Sequence, residues 1–275
     1  MDHSRALDKD TTLCISLAAR PSNIGTRFHN YLYNELELNF VYKAFTTGDL
    51  DAAIAGVKGL GIRGCSVSMP YKEDCIRLVD EMHESATAIE SVNTIVNDNG
   101  RLHAYNTDYL AVASLLRERG VPSDASVAIA GSGGMAKAVA AAVRDSGVTE
   151  AIIVARNESA GSTLAEKYGF TWSAELGANR PQVLINATPV GMEGGAEATA
   201  LAFPEDTIRA AAVIFDVVAK PPETPLVRMA VALGKTVITG AEVIALQAAE
   251  QFALYTGVRP TPDQVERASA YSRAT

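Results

Sequence analysis

The order of strand-like and helix-like segments is the feature that most restricts the fold of this chain. Short apolar, β-branched runs alternate with longer segments in which apolar residues recur at helical spacing. In the first half, strands are predicted at Leu13–Leu17, Val41–Phe45, Cys65–Ser68 and Thr94–Val96, and helices at Arg27–Leu36, Asp49–Leu60 and Tyr109–Arg119. This alternation predicts βαβ units and a mainly parallel sheet.

The pattern restarts after a loop at residues 120–124, with the apolar run Ser126–Ala130. Further strands are predicted at Ala151–Val154, Val183–Ile185, Val213–Phe215 and Thr236–Ile238, and a long helix at Ala241–Tyr255 precedes a short terminal helix. This part is typical of a doubly wound, Rossmann-type nucleotide-binding domain. We therefore expect an α/β fold of two domains, 109–240 and 1–108 with 241–275, in which the C-terminal helices pack back on the first domain.

Composition and charge exclude several functional classes. With 275 residues, 48% of them hydrophobic, the chain can form two apolar cores. A formal charge of −8 leaves no basic surface for the phosphates of a nucleic acid. The first ten residues are polar, and glycines interrupt the most apolar stretch, so we expect no secretory signal, no membrane span and a cytoplasmic location. Three widely spaced cysteines predict reduced, buried thiols.

A glycine-rich turn follows the strand Ser126–Ala130 and precedes an alanine-rich helical segment. Glycines at this place let backbone N–H groups and the positive end of the helix approach a pyrophosphate. The pattern G-x-G-x-x-A is formed by Gly131, Ser132, Gly133, Gly134, Met135 and Ala136. It predicts a dinucleotide site, and a turn that serves packing alone is the alternative.

Arg156 follows the next strand, about twenty residues beyond the glycine turn, where NAD enzymes usually carry an acidic residue on the ribose. A guanidinium suits a 2′-phosphate, so we predict NADP as the cofactor. A merely solvated arginine is the alternative. Asn186, Thr188 and Pro189, which follow the strand Val183–Ile185, are predicted to border the same cofactor, with a purely structural turn as the alternative.

Polar side chains also gather near the strand ends of the first domain. Ser66 and Ser68 alternate, which puts both hydroxyls on one face, and Lys72 follows just beyond a proline. Asn93 and Asp108 belong to two later polar segments. Spacing alone leaves two alternatives open, Lys72 as a surface charge and Asp108 as the N-cap of the following helix.

An ordered series of motifs resembles the shikimate dehydrogenase family along nearly the whole chain. The motifs are Met69–Glu73, Ser91–Thr94, Asn106–Asp108, the glycine turn, Asn186–Thr188, Gly240 and Gln247–Ala249. The resemblance implies that residues 1–108 and 241–275 form a substrate domain and residues 109–240 an NADP domain. It also implies reversible oxidation of a ring hydroxyl to a ketone in a carboxylated cyclohexene such as shikimate.

The resemblance implies roles for single residues. Lys72 corresponds to the catalytic lysine and Asp108 to its carboxylate partner, and a positioned amine can accept the proton that an alcohol loses with its hydride. Asn93 and Gln247 match positions that hydrogen-bond substrate hydroxyls, and for Gln247 a core-edge glutamine bonded to backbone is the alternative. Ser68 is assigned to the substrate site, and Gly240 to the cofactor site.

The resemblance fails where typical members hold the substrate carboxylate. Their Ser-x-Ser pair and tyrosine are replaced by Asn23, Gly25 and Ala219. Hydrogen bonds to a carboxylate contribute about 1.5–3 kcal/mol each, so their loss would weaken the binding of shikimate. The pattern therefore resembles a divergent branch of the family, whose substrate the sequence does not identify. Ser22 and Asn23 are predicted to bind a different polar group. The alternatives are a dehydrogenase of another cyclic polyol or aminopolyol, and an NADP-binding regulator with little turnover.

The four histidines are His3, His29, His83 and His103. They are scattered along the sequence, so no metal site is predicted. The expected partner is a small hydroxy-acid substrate. A homodimer stays open, because no interface signature in the sequence supports or excludes it.

Overall fold

The computed structural model describes residues 7–274, and the chain divides into two compact units. Unit 1 comprises Met1–Thr107 and Ala245–Thr275, and unit 2 comprises Asp108–Ile244. The domain boundaries predicted from the sequence lie after residues 108 and 240. Residues 1–6, which include His3 and more than half of the polar start of the chain, lie outside the described residues.

Unit 1 is built around a six-stranded sheet. Its strands are β1 (Thr12–Leu17), β2 (Phe40–Phe45), β3 (Gly64–Val67), β4 (Glu81–Met82), β5 (Thr94–Asp98) and β6 (Arg101–Tyr105), in the spatial order β2-β1-β3-β5-β6-β4. Neighbouring strands pair in parallel except at β5, which runs antiparallel to both β3 and β6. The prediction of a mainly parallel sheet is confirmed, with one strand reversed.

The reversed strand results from a hairpin that the sequence reading did not include. Asn99 and Gly100 connect β5 to β6 with φ values of 52° and 89°. An Asn-Gly pair is the strongest short signal for such a two-residue turn, because both residues tolerate positive φ. The Gly100 N–H also donates to Asn97 Oδ1 at 2.8 Å. As a result, the first residue of β5 lies beside the last residues of β3 and β6.

The helices follow the sequence pattern with shifted ends. They are α1 (Asn23–Glu35), α2 (Leu50–Gly59), α3 (Glu84–Thr87), α4 (Thr107–Glu118), α5 (Gly134–Asp145), α6 (Glu158–Tyr168), α7 (Glu205–Ala210), α8 (Pro225–Ala232), α9 (Gly240–Thr256) and α10 (Pro262–Arg273). A 3-10 helix, Asp74–Leu78, follows shortly after Lys72. Within residues 7–274, no helix has both the length and the apolar character needed to cross a bilayer.

The C-terminal helices pack on unit 1, as predicted. Phe252 and Tyr255 of α9 share an apolar cluster with Phe28 of α1. On the outside, the Arg27 guanidinium of α1 lies 4.8 Å from the centre of the Tyr271 ring of α10. The last helices therefore complete the core of a domain that begins at the other end of the chain.

Unit 2 contains a fully parallel six-stranded sheet. Its strands are β7 (Val127–Ala130), β8 (Ala151–Val154), β9 (Thr171–Ser173), β10 (Val183–Asn186), β11 (Val213–Asp216) and β12 (Thr236–Thr239), in the order β12-β11-β10-β7-β8-β9. The chain starts in the middle at β7, runs outward to β9 and returns to β10 on the other side. The predicted Rossmann-type sheet is confirmed, and its switch point lies between β7 and β10.

Candidate cofactor and substrate sites

Gly131 forms the turn between β7 and α5 and leaves no room for a side chain. Its φ of +111° is unfavourable for other residues, and a Cβ would lie 2.8 Å from the Ala187 carbonyl oxygen. The Gly131 N–H donates to Val154 O at 2.9 Å, and Ala187 N donates to Ala130 O at 2.8 Å. The turn is therefore held between the ends of β8 and β10, the two strands beside β7.

The next two glycines face open space at the start of α5. A Cβ on Gly133 or Gly134 would have no neighbour within 4 Å. Gly133 is the N-cap, and no side chain caps the helix, so its first N–H groups are left for a ligand or solvent. Ala136 is fully buried, which lets α5 approach the sheet closely, while Ser132 and Met135 are half-buried. These free donors and this open backbone fit a pyrophosphate.

Arg156 lies directly after β8 and points into solvent. Its side chain is 86% exposed, and its guanidinium lies 3.6 Å from the Glu197 carboxylate. Two residues before it, the carbonyl of Val154 accepts the hydrogen bond from Gly131. Arg156 is thus connected to the glycine turn through the end of β8. A phosphate that binds Arg156 has to compete with Glu197.

Asn186 ends β10 and fixes the loop that follows. Its fully buried Oδ1 accepts from Thr188 N at 3.0 Å and from Thr188 Oγ1 at 2.6 Å. Its Nδ2 donates to Val190 O at 3.1 Å and to Asp216 Oδ1 at 2.9 Å. Asn186 would therefore contribute to cofactor binding through the loop. Half-buried Thr188 and exposed Pro189 are the predicted residues that a ligand can reach.

Asp216, which the sequence reading did not assign to the site, anchors two neighbouring loops. It is fully buried at the end of β11 and accepts from Thr224 Oγ1 at 2.6 Å and Val218 N at 3.0 Å, besides Asn186. Burial raises the pKa of this carboxyl, and the hydrogen bonds partly offset that effect. The signal in the sequence was an acidic residue closing an apolar strand.

Gly240 begins α9 and packs against backbone. A Cβ at this position would overlap the carbonyl groups of Val217 and Val218. The close approach of two backbone segments is therefore enough to require glycine here. A contact between Gly240 and the cofactor stays a prediction.

Asn93 lies immediately before β5 and is held by its side-chain oxygen. Oδ1 accepts from Thr107 N at 2.8 Å, from Thr94 Oγ1 at 2.8 Å and from Thr107 Oγ1 at 3.2 Å. Because a backbone N–H can only donate, these contacts identify the oxygen of the amide. Nδ2 makes no hydrogen bond to any residue in the part of the chain that is described, so Asn93 offers a donor to a ligand.

Two glutamines, one turn apart on α9, extend this polar network. Gln247 Oε1 accepts from Thr107 Oγ1 at 3.3 Å. Gln251 Nε2 donates to Thr94 Oγ1 at 3.0 Å and to Asn93 O at 3.3 Å. Gln251 thus has a hydrogen bond to backbone, whereas the hydrogen bond of Gln247 goes to a side chain. The sequence analysis did not identify Gln251. Its i,i+4 spacing from Gln247 was the available signal.

Lys72 is half-buried in the turn before the 3-10 helix, and its carbonyl accepts from Val92 N at 2.8 Å. Ser68 is exposed one residue beyond β3. Asp108 is the second residue of α4, which begins at Thr107, so the alternative that Asp108 is an N-cap is wrong. Lys72 belongs to unit 1 and Asp108 to unit 2, and their joint role in catalysis stays a prediction.

The start of α1 contains the two residues, Ser22 and Asn23, that are predicted to bind a polar group of the substrate. Ser22 is its N-cap, but the hydroxyl makes no capping bond, and both Ser22 and Asn23 are exposed. A Cβ on Gly25 would meet the Tyr42 hydroxyl at 3.7 Å, which is an ordinary contact. Packing therefore does not require this glycine. Its presence leaves space beside Tyr42, whose hydroxyl is 2.5 Å from Ser66 Oγ.

The histidines are less scattered than their sequence positions indicate. His103 Nδ1 lies 3.4 Å and His83 Nε2 lies 4.0 Å from the Glu81 carboxylate. His29, in contrast, is fully buried and stacked on Tyr42. The expectation of isolated histidines is corrected for His83 and His103.

Comparison with known proteins places the chain among its relatives. A shikimate dehydrogenase-like protein of Haemophilus influenzae is 55% identical over 267 residues, which cover 97% of this chain and 98% of the relative. A shikimate dehydrogenase (NADP(+)) of Pyrococcus abyssi is 37% identical over 245 residues, covering 88% and 90%. The chain belongs to the shikimate dehydrogenase family. The profile of the shikimate dehydrogenase substrate binding domain matches residues 23–95, which lie in unit 1.

A solved structure extends the similarity to the fold of the family. Shikimate 5-dehydrogenase from Thermus thermophilus, in complex with NADP(H) and shikimate, aligns with a TM-score of 0.84 and 28% identity. The alignment covers 95% of this chain and 99% of the Thermus chain. This member of the shikimate dehydrogenase family is therefore similar in fold to that enzyme along nearly the whole length of both chains.

Proposed function

We propose that this protein catalyses the reversible, NADP-dependent oxidation of a ring hydroxyl in shikimate or a related cyclic hydroxy acid such as quinate. The observation that carries the proposal is the glycine turn at the switch point of unit 2, followed by Arg156 in place of an acidic residue. Membership of the shikimate dehydrogenase family and the NADP(H) and shikimate bound by the Thermus relative support it.

Unit 2 would hold the cofactor. The uncapped N–H groups at Gly133 and in the first turn of α5 would bind the pyrophosphate. Arg156 would pair with the 2′-phosphate, and the absence of an acidic residue at that strand end favours NADP over NAD. Bound NADP would supply the hydride acceptor. Thr188 and Pro189 would border it from the neighbouring loop.

Unit 1 would hold the substrate. Asn93 Nδ2 and the Gln247 amide would donate to ring oxygens, since their own oxygens already accept from Thr107. The Lys72 amine would accept the hydroxyl proton as the carbon loses its hydride, and would return it in the reverse direction. Asp108 would orient the reacting hydroxyl.

The test follows NADP reduction by the near-ultraviolet absorbance of NADPH, with shikimate and with quinate. In Lys72→Ala, kcat is expected to fall by about 10²-fold or more with little change in KM, because a proton acceptor acts mainly in the transition state. Lys9→Ala removes a lysine whose side chain is 88% exposed, and serves as the matched control. Turnover that survives Lys72→Ala unchanged contradicts the acid/base assignment.

A second substrate class is favoured by Asn23, Gly25 and Ala219, which replace the carboxylate-binding residues of typical members. A cyclic polyol or aminopolyol without a carboxylate would need no such grip. A panel of these alcohols, assayed beside shikimate, separates the two by kcat/KM. Tight NADP binding without turnover of any panel member would indicate the third candidate, an NADP-binding regulator.

A further inference from the structure

Glu81, His83 and His103 form a cluster at one side edge of the unit 1 sheet. β4 pairs in parallel with β6 so that Glu81 lies opposite His103, and β4 is the last strand in the sheet order. His83 follows two residues after Glu81, a spacing that points both side chains to the same side of an extended chain. The ligand atoms of the three residues all lie within 4.8 Å of one another.

The distances are close to those of a metal site. His103 Nδ1 lies 3.4 Å from Glu81 Oε2, and His83 Nε2 lies 4.0 Å from Glu81 Oε1. Tetrahedral bonds of about 2.1 Å, as zinc forms with imidazole and carboxylate, separate neighbouring ligand atoms by about 3.4 Å. One pair already has this separation, and the second pair has to come closer by about 0.6 Å.

The surroundings of both rings also fit coordination. His103 Nε2 lies 3.9 Å from Asp98 Oδ2, so a carboxylate faces the nitrogen that would point away from the metal. Metal-binding histidines commonly have such a partner, which fixes the ring orientation. The His83 ring is stacked on Tyr105 with centroids 4.0 Å apart and a 14° interplanar angle. Its Nε2 is shielded from solvent and has no hydrogen-bond partner among residues 7–274.

We propose that Glu81, His83 and His103 bind one divalent transition-metal ion, with zinc as the best match, which joins β4 to β6. Two imidazoles and one carboxylate favour zinc over magnesium or calcium, which prefer oxygen ligands. Three protein ligands leave a fourth position for water. The ion has to displace the Arg101 guanidinium, which lies 3.0 Å from Glu81 Oε2.

Other strong zinc ligands in the described part of the chain are inaccessible. Cys14, Cys65 and Cys75 are fully buried, and so is His29. His3 lies outside the described residues, and a His3→Ala background therefore removes its contribution from every protein compared. Zinc bound by the folded protein then reports on the proposed cluster.

Calorimetric titration with zinc tests the proposal. We expect one ion per chain, and a Kd raised about tenfold or more by Glu81→Gln and by His103→Gln, since each removes a ligand. Glu84→Gln makes the same charge change at an exposed residue three positions from Glu81, and should leave the Kd unchanged. Zinc should also raise the Tm of the parent protein, and not that of the two ligand variants.

Arg101→Gln provides a test in the opposite direction. Removal of the competing guanidinium should lower the Kd for zinc, whereas a variant that merely disturbs the fold would not tighten binding. Cobalt absorption in the visible range, intense for tetrahedral coordination, should appear with the parent and disappear with His103→Gln. No saturable zinc binding, or binding that is unchanged in both ligand variants, overturns the proposal and leaves an ion-pair network around Glu81.

Discussion

Buried His29 should make unit 1 sensitive to mild acid. The imidazole is fully buried and stacks on Tyr42 with centroids 4.4 Å apart. The ring centroids of Phe252 and Tyr255 lie 6.2 and 5.8 Å from that of His29. Burial lowers the pKa of His29 to about 3, although the Gln251 side chain acts in the opposite direction. The folded protein therefore keeps this ring neutral throughout the mildly acidic range.

The cost follows from proton linkage. An unfolded chain protonates His29 below its ordinary pKa of about 6.5, while the folded protein does not until the pH approaches the lowered value. Each pH unit between these limits favours the unfolded state by about 1.4 kcal/mol. Stability from neutral His29 is thus complete above about pH 6.5 and decreases as the pH falls. Between pH 8 and pH 5 the loss from this residue is about 2 kcal/mol.

The assay compares urea unfolding of the wild type and His29→Phe at pH 8 and pH 5, with a chelator present. Most tyrosines lie in unit 1, so near-ultraviolet circular dichroism follows that unit, while Trp172, the single tryptophan, lies in unit 2 and serves as an internal control. In the tyrosine signal, the wild type should lose about 2 kcal/mol more than His29→Phe. In the tryptophan signal, the two proteins should lose equal amounts. Equal losses in the tyrosine signal would refute the reasoning.

Three further changes test the candidate sites. Arg156→Ala should raise the KM for NADP about tenfold and leave that for NAD nearly unchanged, since only NADP carries the 2′-phosphate; initial rates with both cofactors measure this. Gly131→Ala should lower the melting temperature, because φ is positive and a Cβ meets backbone. Gly133→Ala should leave the melting temperature unchanged, because a Cβ there has no neighbour, and should weaken NADP binding in a fluorescence titration, because that Cβ takes up the space left for the pyrophosphate. Gln251→Leu should cost about 1–2 kcal/mol in urea unfolding and lower kcat/KM, because Asn93 loses a hydrogen-bonded neighbour.

The sequence predicted unit 2 well because its signals are local. A buried strand, a glycine turn and an alanine-rich helix are consecutive, and each requirement is met within a few residues. At Gly131 and Ala136, the signal in the sequence is a residue small enough for the close packing at these two positions. Asp216 escaped notice because its role depends on Asn186, thirty residues away, and on Thr224 in the following loop.

Unit 1 was harder to predict because its polar network joins distant segments. Asn93 was expected at the end of a strand, whereas it lies directly before β5. Because β5 runs antiparallel to its neighbours, Asn93 nevertheless lies near the last residues of β3 and β6. The Asn99–Gly100 turn was a local signal for this reversal. Gln251 has no such signal, because its partners Asn93 and Thr94 lie more than 150 residues earlier.

This network also limits which substrate the site can accept. Because Thr107 donates to the oxygens of both Asn93 and Gln247, the atoms left for a ligand at these two positions are N–H donors. Donors recognise hydroxyl, ketone and carboxylate oxygens, and a protonated amine has no acceptor to offer them. At equal ring size, we therefore expect higher kcat/KM for polyols than for aminopolyols with the amine at the Asn93 or Gln247 position. A preference of the wild type for the amine would contradict this orientation of the Asn93 amide, whereas Asn93→Asp, which puts an acceptor in place of Nδ2, should shift the preference toward the amine.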